Sequence, residues 1–329
     1  MLQDCQPAHD DASVQMEVSG LSKRFTVMRQ GRKATLNALS DVSFSVRRGE
    51  TFSVVGESGC GKSTLGRCLA RLLEPSEGSV IFEGKDIGRL RKKDLHHLRK
   101  EIQFIFQDPY SSMNPRLKVR SILAEPLHNF GAASEQIEQR LQDLLRLVSL
   151  KPDSLDKYPH QFSGGQRQRL VIARALALEP RFIVCDEPVS ALDVSVQAQV
   201  INLLVDLQKS LGLTYLFISH DLSVVRHISH RVAVMYLGRV VEVGTRDEIF
   251  SNPRHPYTRA LMAAVPRFSE ESRRAPREAR LSGEIPSPLS PPSGCAFRTR
   301  CPNAQPLCAQ AEPPLRHFSS DHVARCHLL

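Results

Sequence analysis

Short apolar runs that alternate with polar turns dominate the beginning of the chain. They extend over residues 14–55 and predict β-strands, the last of them over residues 51–55. Glycines follow this last run, and apolar residues then recur at helical spacing at Leu65, Leu69, Leu72 and Leu73. The pattern predicts a β-rich opening and then a strand, a glycine-rich turn and a helix.

The middle of the chain changes to helical spacing after residue 108. A helix with Ser134 as its N-cap is predicted over residues 134–148, because its apolar residues share one face. Two further helices are predicted over residues 166–178 and 195–211. This part of the chain is therefore mostly helical.

Strands return in the second half of the chain. Continuous apolar runs over residues 181–185 and 213–219 predict buried parallel strands, and residues 231–243, broken at Gly238, predict a hairpin. Strands that alternate with helices indicate an α/β fold with a parallel sheet covered on both faces. Residues 108–178 are then a helical subdomain inserted into this core.

The two ends of the chain differ from the α/β domain, which we place at residues 14–264. Residues 1–13 are polar and predict a disordered N-terminus. Residues 265–294 are rich in Pro, Ser and Arg and predict an extended linker. Residues 295–329 form a small cysteine-bearing module.

The composition favours a soluble globular protein, with 41% hydrophobic and 24% charged residues among 329. No apolar run approaches the roughly 20 residues that cross a bilayer, and the polar start is unlike a signal peptide. We therefore expect a cytosolic protein. The net charge of +9 favours an anionic neighbour, nucleic acid or the inner membrane surface, although it is also explained by general solubility.

The residues Gly-Glu-Ser-Gly-Cys-Gly-Lys-Ser-Thr at positions 56–64 have the composition of a phosphate-binding loop. Glycines allow positive φ, so successive backbone N–H groups can converge on one anion. A helix that starts near Lys62 adds its positive end and the ammonium group adds a full charge, while Ser63 can offer its hydroxyl to Mg²⁺. The alternative is an ordinary glycine turn, but the strand before it and the helix after it favour a nucleoside-triphosphate site.

Two adjacent carboxylates, Asp186 and Glu187, end a predicted buried strand. Parallel sheets place ligand sites at the carboxyl ends of their strands. Asp186 is therefore a candidate Mg²⁺ ligand, and Glu187 is the candidate general base for an attacking water. A solvated acidic turn is the alternative.

A second candidate anion site, Ser163-Gly164-Gly165-Gln166, stands at the start of a predicted helix. Ser163 can cap this helix while the glycines leave its N–H groups open to a phosphate. Two such sites for one triphosphate suggest a site shared between two molecules.

Together these motifs resemble those of the ATP-binding subunits of ABC transporters, over residues 14–327. Residues 56–64 match the Walker A loop, 163–166 the signature motif, 183–187 Walker B and 190–193 the D-loop. The resemblance implies a P-loop NTPase core with an N-terminal antiparallel β subdomain. It also implies two cassettes that enclose two ATP molecules, each held by Walker A of one cassette and the signature of the other. The implied nucleotide-binding residues are Phe25, Gly56, Glu57, Ser58, Gly59, Cys60, Gly61, Lys62, Ser63, Thr64, Ser163, Gly164, Gly165, Gln166 and Asp193.

The same resemblance implies roles for residues outside the loops. Gln107 matches the Q-loop glutamine, which senses Mg²⁺ or the attacking water, and His220 matches the switch histidine that contacts the γ-phosphate. Phe25 takes the place of the aromatic residue that stacks on adenine, often a Tyr. The implied catalytic residues are Lys62, Gln107, Glu187 and His220, and the implied Mg²⁺ ligands are Ser63, Gln107 and Asp186.

Three further stretches resemble the dipeptide/oligopeptide/nickel importer subfamily: residues 107–116, residues 255–258 and the tail from residue 294. Residues 188–195 and the tail are most similar to the F-type dipeptide-importer ATPases. The resemblance implies an ATPase that powers peptide import at the cytoplasmic face of the inner membrane, with nickel or another small solute as the alternative cargo. The implied partners are a second, related ATPase subunit, two membrane permease subunits and, indirectly, a periplasmic peptide-binding protein, with no nucleic acid.

The competing class is a soluble ABC ATPase that acts on nucleic acid. Translation-factor types carry two cassettes in one chain, whereas this chain has one. Repair types insert long coiled coils before the signature motif, whereas only about 55 residues separate Gln107 from Ser163 here. A kinase or simple GTPase has no use for residues 163–166.

Half of the eight cysteines lie in the tail, at Cys295, Cys301, Cys308 and Cys326. A module too small for its own core is expected to need a cross-link or a metal, and disulfides are disfavoured in a reducing cytosol. Four thiolates suit either Zn²⁺ or an iron–sulfur cluster, and their spacing does not decide between these or exclude the absence of a metal. The family resemblance points to a [4Fe–4S] cluster. In the zinc alternative, further candidate ligands are His317, His322 and His327.

Overall fold

The computed structural model describes residues 13–29, 31–108, 112–263 and 283–329. Most of the predicted N-terminal segment 1–13 and of the linker 265–294 lies outside these ranges, as do residues 109–111 of the Q-loop stretch. The strands are β1 Val14–Arg29, β2 Arg32–Arg47, β3 Thr51–Val55, β4 Glu77–Phe82, β5 Lys85–Asp86, β6 Ile102–Ile105, β7 Phe182–Asp186, β8 Thr214–Ile218, β9 Arg231–Tyr236, β10 Arg239–Thr245, β11 Leu315–His317 and β12 Val323–Arg325. The α-helices are α1 Lys62–Leu69, α2 Lys92–Glu101, α3 Val119–Asn129, α4 Ser134–Leu147, α5 Gly164–Leu176, α6 Val194–Leu211, α7 Leu222–Ile228, α8 Arg246–Ser251, α9 Pro256–Ala263 and α10 Leu307–Gln310.

The strands of the described residues form two sheets. One is antiparallel, with the order β2-β1-β4-β5, and confirms the predicted β-rich opening. The other has eight strands in the order β11-β12-β10-β9-β3-β8-β7-β6. Its strands β9, β3, β8, β7 and β6 are parallel, which confirms the buried parallel strands predicted for β7 and β8. Strands β10, β12 and β11 pair in antiparallel fashion, so the sheet is mixed rather than wholly parallel.

Two large apolar clusters hold these layers together. One lies between the antiparallel sheet, helix α1 and one face of the parallel strands, with Phe52, Leu65 and Val184 fully buried. The other joins the opposite face of the parallel sheet to helices α3, α4, α5 and α6. The helical subdomain is therefore packed against the α/β core and shares its apolar interior.

Two predicted helix starts differ in detail from the structure. Helix α4 begins at Ser134, so its N-cap is Ala133 rather than Ser134, and the side chain of Gln136 accepts the Ala133 N–H. Helix α5 begins at Gly164, two residues before its predicted start, because Ser163 and Gln166 bond to each other's backbone and fix the first turn. The two glycines therefore belong to the helix.

The C-terminal residues extend the main sheet. Strands β11 and β12 pair in antiparallel fashion, and β12 continues onto β10 with Glu242 opposite Ala324. The nearby residue Phe297 is buried in a third apolar cluster with Tyr236 and Tyr257. The tail thus contributes to a core that it shares with the cassette.

Candidate active site

The loop between β3 and α1 approaches other backbone segments so closely that two of its positions accept only glycine. Gly56 has φ +153°, and a Cβ atom there would lie 2.2 Å from the carbonyl oxygen of Met235. Gly61 has φ +105°, and its Cβ would lie 2.4 Å from the carbonyl oxygen of Ala38. Gly61 is also the N-cap of α1 and supplies no side chain to the first turn. The N–H groups at this helix start therefore stay available to an anion.

Lys62 lies under this loop and its side chain is 5% exposed. Its Nζ donates hydrogen bonds to the carbonyl oxygens of Gly56, at 2.7 Å, and of Glu57, at 3.0 Å. The buried ammonium group is thus held by loop carbonyls at the place where a phosphate would sit. This donor set, amide N–H groups and one ammonium, fits the tail of a nucleoside triphosphate.

The two candidate Mg²⁺ ligands from the loop and from Walker B lie side by side. Ser63 Oγ donates a 2.8 Å hydrogen bond to Oδ1 of Asp186, which ends strand β7. Burial raises the pKa of the Asp186 carboxyl, although the Ser63 hydroxyl acts in the opposite direction. One hydroxyl and one carboxylate oxygen are ligands of the type that Mg²⁺ prefers, so the pair fits the ion.

Glu187 occupies the next position and has an unusual backbone, with φ +48°. Its N–H donates to the carbonyl oxygen of Ile218, which fixes this left-handed residue at the end of the sheet. Gln107 Nε2 donates to Glu187 Oε2 at 3.0 Å, and His220 Nδ1 lies 3.2 Å from the same oxygen. Three residues that lie far apart in the sequence therefore meet at one carboxylate.

Most of these groups line one open cleft of about 560 Å³, whereas Gly56 and the buried Asp186 lie behind its lining. Phe25 lines one side of it, and Lys23 Nζ lies 5.0 Å from the centre of the Phe25 ring. Sequence reasoning missed several lining residues because they come from the middle of β2, from the turn between β9 and β10 and from the C-terminal part of the chain, without a motif of their own: Leu36, Asn37, Ala38, Leu237, Gly238 and Pro288. The other lining residues are Ser58, Gly59, Gly61, Lys62, Ser63, Thr64, Gln107, Glu187 and His220.

Two predicted nucleotide-binding positions of the loop point elsewhere. The Cys60 side chain is 4% exposed, and burial raises the pKa of its thiol. Glu57 directs its carboxylate to Arg300, with N–O distances of 2.6 and 3.0 Å. The side chains of these two residues do not line the cleft, so any contact they make with phosphate would come from their backbone.

The signature residues lie outside the cleft of their own chain. Ser163, Gly164 and Gln166 are exposed at the start of α5, where Ser163 Oγ accepts the N–H of Gln166. Gly165 is buried, and a Cβ there would lie 2.3 Å from a methyl carbon of Val196. Its hydrogen side chain is therefore needed for α5 to approach α6. In a single chain the signature has no nucleotide to bind.

Asp193, predicted from the D-loop, is the exposed N-cap of α6. Its carboxylate accepts hydrogen bonds from Ser195 Oγ and from the Val196 N–H, and these hydrogen bonds lower its pKa. The structure thus gives Asp193 a helix-capping position near the signature helix, away from the residues that line the cleft.

The prediction of an iron–sulfur cluster in the tail is wrong. Within the described ranges, which include all four tail cysteines, no group of three or more His, Cys, Asp or Glu side chains is arranged to hold a metal ion. Burial raises the pKa of the Cys295 thiol to about 11 and raises the pKa values of Cys301 and Cys326 as well. Zinc, the alternative, has no support either.

The tail histidines considered as zinc ligands have other surroundings. His322 is buried and its Nε2 lies 2.7 Å from Oε1 of Glu242, a carboxylate on β10. His327 Nε2 lies 3.0 Å from the carbonyl oxygen of Ala311, and His317 is exposed on β11. His322 therefore links the tail to the main sheet through Glu242, whose buried carboxylate also accepts the N–H groups of Arg254 and His255.

A P-loop nucleotide-binding cassette is the class of protein that this fold and this site define. The family model of the ABC transporter matches residues 39–190, and that of the oligopeptide/dipeptide transporter C-terminal region matches residues 241–308. The chain is 53% identical over 317 residues to a probable peptide ABC transporter ATP-binding protein, y4tS of Sinorhizobium fredii, covering 95% of this chain and 89% of that protein. It is 50% identical over 319 residues to the oligopeptide transport ATP-binding protein AppF of Bacillus subtilis, covering 95% and 97%.

A solved structure agrees with this assignment. The dimeric ATP-binding cassette MJ0796, in a post-hydrolysis state bound to ADP and Pi, is 28% identical, with a TM-score of 0.63, and is matched over 70% of this chain and 98% of its own. The chain therefore belongs to the ABC transporter ATP-binding proteins, a family of ATPases that work with membrane permeases. None of the helices within the described ranges combines the length and the apolarity needed to cross a bilayer.

Proposed function

We propose that this chain binds and hydrolyses Mg-ATP and thereby powers the import of dipeptides or oligopeptides through a membrane transporter. The observation that carries the ATPase part is the meeting of Gln107, Glu187 and His220 beside the phosphate loop. The peptide part is supported by the C-terminal family region and by the relatives that are named as peptide transporter subunits.

The residues of the cleft divide the reaction between them. The loop amides and Lys62 bind and orient the phosphates, and their charge stabilises the negative charge that develops on them. Ser63 and Asp186 would hold Mg²⁺, which neutralises phosphate charge when bound. Phe25 offers a ring on which the base can stack.

Glu187 is the proposed general base. Gln107 and His220 both contact its Oε2, which orients the carboxylate and leaves Oε1 to accept a proton from the attacking water. Because His220 is also exposed, it can reach a γ-phosphate at the mouth of the cleft. We assign Gln107 to positioning of the water and the metal.

A second cassette completes the site in this proposal. Ser163 and its helix start are exposed and lie outside the cleft of their own chain, so they are available to the nucleotide of another chain. The similarity to a dimeric cassette supports this arrangement. We propose that the second cassette is a distinct, related ATPase subunit and that both dock on two permease subunits at the cytoplasmic face of the inner membrane, supplied by a periplasmic peptide-binding protein.

Reconstitution tests the whole proposal. The chain is assembled with candidate partner ATPase and permease subunits in vesicles, with peptide and its binding protein on one side and Mg-ATP on the side of the cassettes. We expect ATP hydrolysis that rises with the loaded binding protein and peptide uptake that stops in the Glu187→Gln complex. Hydrolysis coupled to nickel but not to peptides would reject the cargo, and uptake without ATP would reject the function.

A further inference from the structure

Glu57, the second residue of the phosphate loop, is fixed by residues from the C-terminal part of the chain. Its carboxylate accepts two hydrogen bonds from Arg300, at 2.6 and 3.0 Å. Its N–H donates to the hydroxyl of Tyr257 at 3.0 Å. Both partners lie in the segment matched by the C-terminal region of oligopeptide/dipeptide transporters, more than 190 residues after the loop along the chain.

The Arg300–Glu57 pair differs from the surface ion pairs of the chain. The Arg300 side chain is 4% exposed and that of Glu57 is 23% exposed, so water screens the pair weakly. The pairing geometry is bidentate, which adds directionality to the charge interaction. The hydrogen bonds that Arg300 donates to Glu57 also raise the pKa of the Arg300 guanidinium, which stays charged.

Arg300 is itself held in place by an aromatic cluster. Its guanidinium carbon lies 5.9 Å from the centre of the Tyr236 ring, and Tyr236 packs edge-on against Phe297 and Tyr257. These rings are buried at the junction of β9, α9 and the tail. The guanidinium is therefore presented to the loop by a rigid support.

Glu57 transmits this restraint to the group that binds phosphate. Its carbonyl oxygen accepts hydrogen bonds from Lys62 Nζ, at 3.0 Å, and from the Cys60 N–H, at 3.3 Å. The N–H, the carbonyl and the carboxylate of Glu57 are all engaged, and the orientation of its two peptide planes sets the start of the loop. A loop held in its binding geometry before the ligand arrives loses less conformational entropy on binding.

We infer that Arg300 is a positioning residue for the ATP site: by fixing Glu57, the C-terminal segment of this chain sets the affinity of the phosphate loop for Mg-ATP. This inference rests on the proposed ATPase function. If Arg300 fixes the loop in this way, any change that displaces Arg300 weakens the binding of ATP.

A double-mutant cycle on the full-length chain tests the inference. The variants are Arg300→Met, Glu57→Gln and the double variant, and the readouts are the Kd of a fluorescent ATP analogue with Mg²⁺ and the unfolding temperature. We expect each single change to raise the Kd at least about fivefold, a typical lower bound for coupling between sites. In the Glu57→Gln background, Arg300→Met should have less than about a twofold further effect, because Arg300 acts through Glu57.

Two further variants separate positioning from stability. Arg300→Lys keeps the charge but not the bidentate geometry, so its Kd should lie between those of the wild type and Arg300→Met. Glu312→Gln breaks a tail-to-core pair of the same bidentate type, to Arg239, and Glu312 does not line the cleft. Its Kd should stay within about twofold of the wild type, while its unfolding temperature reports the loss of a tail contact.

The outcomes distinguish the inference from the proposed function. A wild-type chain that does not bind the nucleotide refutes both. Normal wild-type binding with an unchanged Kd in Arg300→Met, or additive effects in the double variant, overturns the inference alone. If Arg300→Met does not fold, the Glu57→Gln variant tests the inference, because it removes the same ion pair from the loop side. An unchanged Kd in Glu57→Gln also overturns the inference.

Discussion

The Ser63 hydroxyl donates a 2.8 Å hydrogen bond to Oδ1 of Asp186, a residue 123 positions further along the chain. Ser63 lies in the first turn of α1, and Asp186 ends β7 immediately before Glu187. The bond therefore links the helix that follows the phosphate loop to the strand whose next residue is the candidate base.

Gly56→Ala should abolish tight nucleotide binding, with a rise in Kd of about tenfold or more. The added methyl group would lie 2.2 Å from the Met235 carbonyl oxygen, so the loop must shift. Gly84→Ala is the matched control, because Gly84 also has a positive φ, +76°, but its Cβ would meet no atom within 4 Å. Both variants carry backbone strain from a positive φ, about 1–2 kcal/mol in the left-handed region at position 84, and only the first also carries the overlap. Equal Kd values by nucleotide titration would argue against the need for glycine at position 56.

Glu187→Gln should lower ATP turnover by ~10²-fold or more while the Kd for Mg-ATP stays near that of the wild type. The amide keeps the shape of the side chain but does not accept a proton from water. Glu179→Gln serves as a control, since Glu179 forms an exposed ion pair with Arg140 away from the cleft. Phosphate release by the assembled transporter is the measurement. Retention of normal turnover would remove Glu187 from the role of general base.

Ser163→Arg should leave nucleotide binding to the isolated chain intact, because Ser163 lies outside the cleft of its own chain. It should suppress hydrolysis, because the signature is proposed to complete the site of the second cassette. In the complex with the proposed partner ATPase subunit, Ser163→Arg combined with a loss of the phosphate-loop lysine of the partner should keep part of the activity. That complex retains one composite site, made of the loop of this chain and the signature of the partner, whereas Lys62→Ala with the same partner variant retains none and should be inactive. Equal activities of the two complexes would speak against a site shared between chains.

His255 makes stability depend on pH in a defined window. Burial lowers its pKa to about 4 in the folded chain, whereas the unfolded value is about 6.5. Between these values the unfolded state binds the proton and the folded state does not, so the contribution to stability is complete above pH 6.5 and is lost as the pH falls to 4.

The loss amounts to on the order of 3 kcal/mol over that window. His255 Nδ1 accepts the Tyr257 N–H, a bond that a glutamine side chain can replace without titrating. Urea unfolding at pH 7 and pH 5 should therefore show a smaller pH effect in His255→Gln than in the wild type. His317→Gln, at an exposed position on β11, should retain the wild-type pH dependence, and a flattened profile there would contradict the assignment.

Parts of the site with local signals were predictable from the sequence alone. The apolar run of β3, the glycines of the loop and the spacing of α1 are consecutive, so periodicity and φ requirements identify them together. The carboxylates Asp186 and Glu187 follow a continuous apolar run, and the end of a parallel strand is where such a pair is exposed to ligand. The structure extends this by bringing Gln107 and His220 onto Glu187.

The four tail cysteines show where such local reasoning failed. Their number and the small size of the segment suggested that a metal would hold it together. In the structure the segment is held instead by pairing of β12 with β10, by the buried Phe297 and by the His322–Glu242 contact. These contacts lie between distant residues, and the cysteine spacing carries no information about them.

The strand, loop and helix around Lys62, the helix over residues 195–211 and the two carboxylates Asp186 and Glu187 were predictable from the sequence, because each follows from neighbouring residues along the chain. Three features became visible only in the folded chain: Pro288 lines the cleft, the signature lies outside it, and Arg300 holds Glu57 across 243 positions. Such contacts depend on how the sheets and the tail pack against one another, and packing is a property of the whole fold rather than of any stretch of residues.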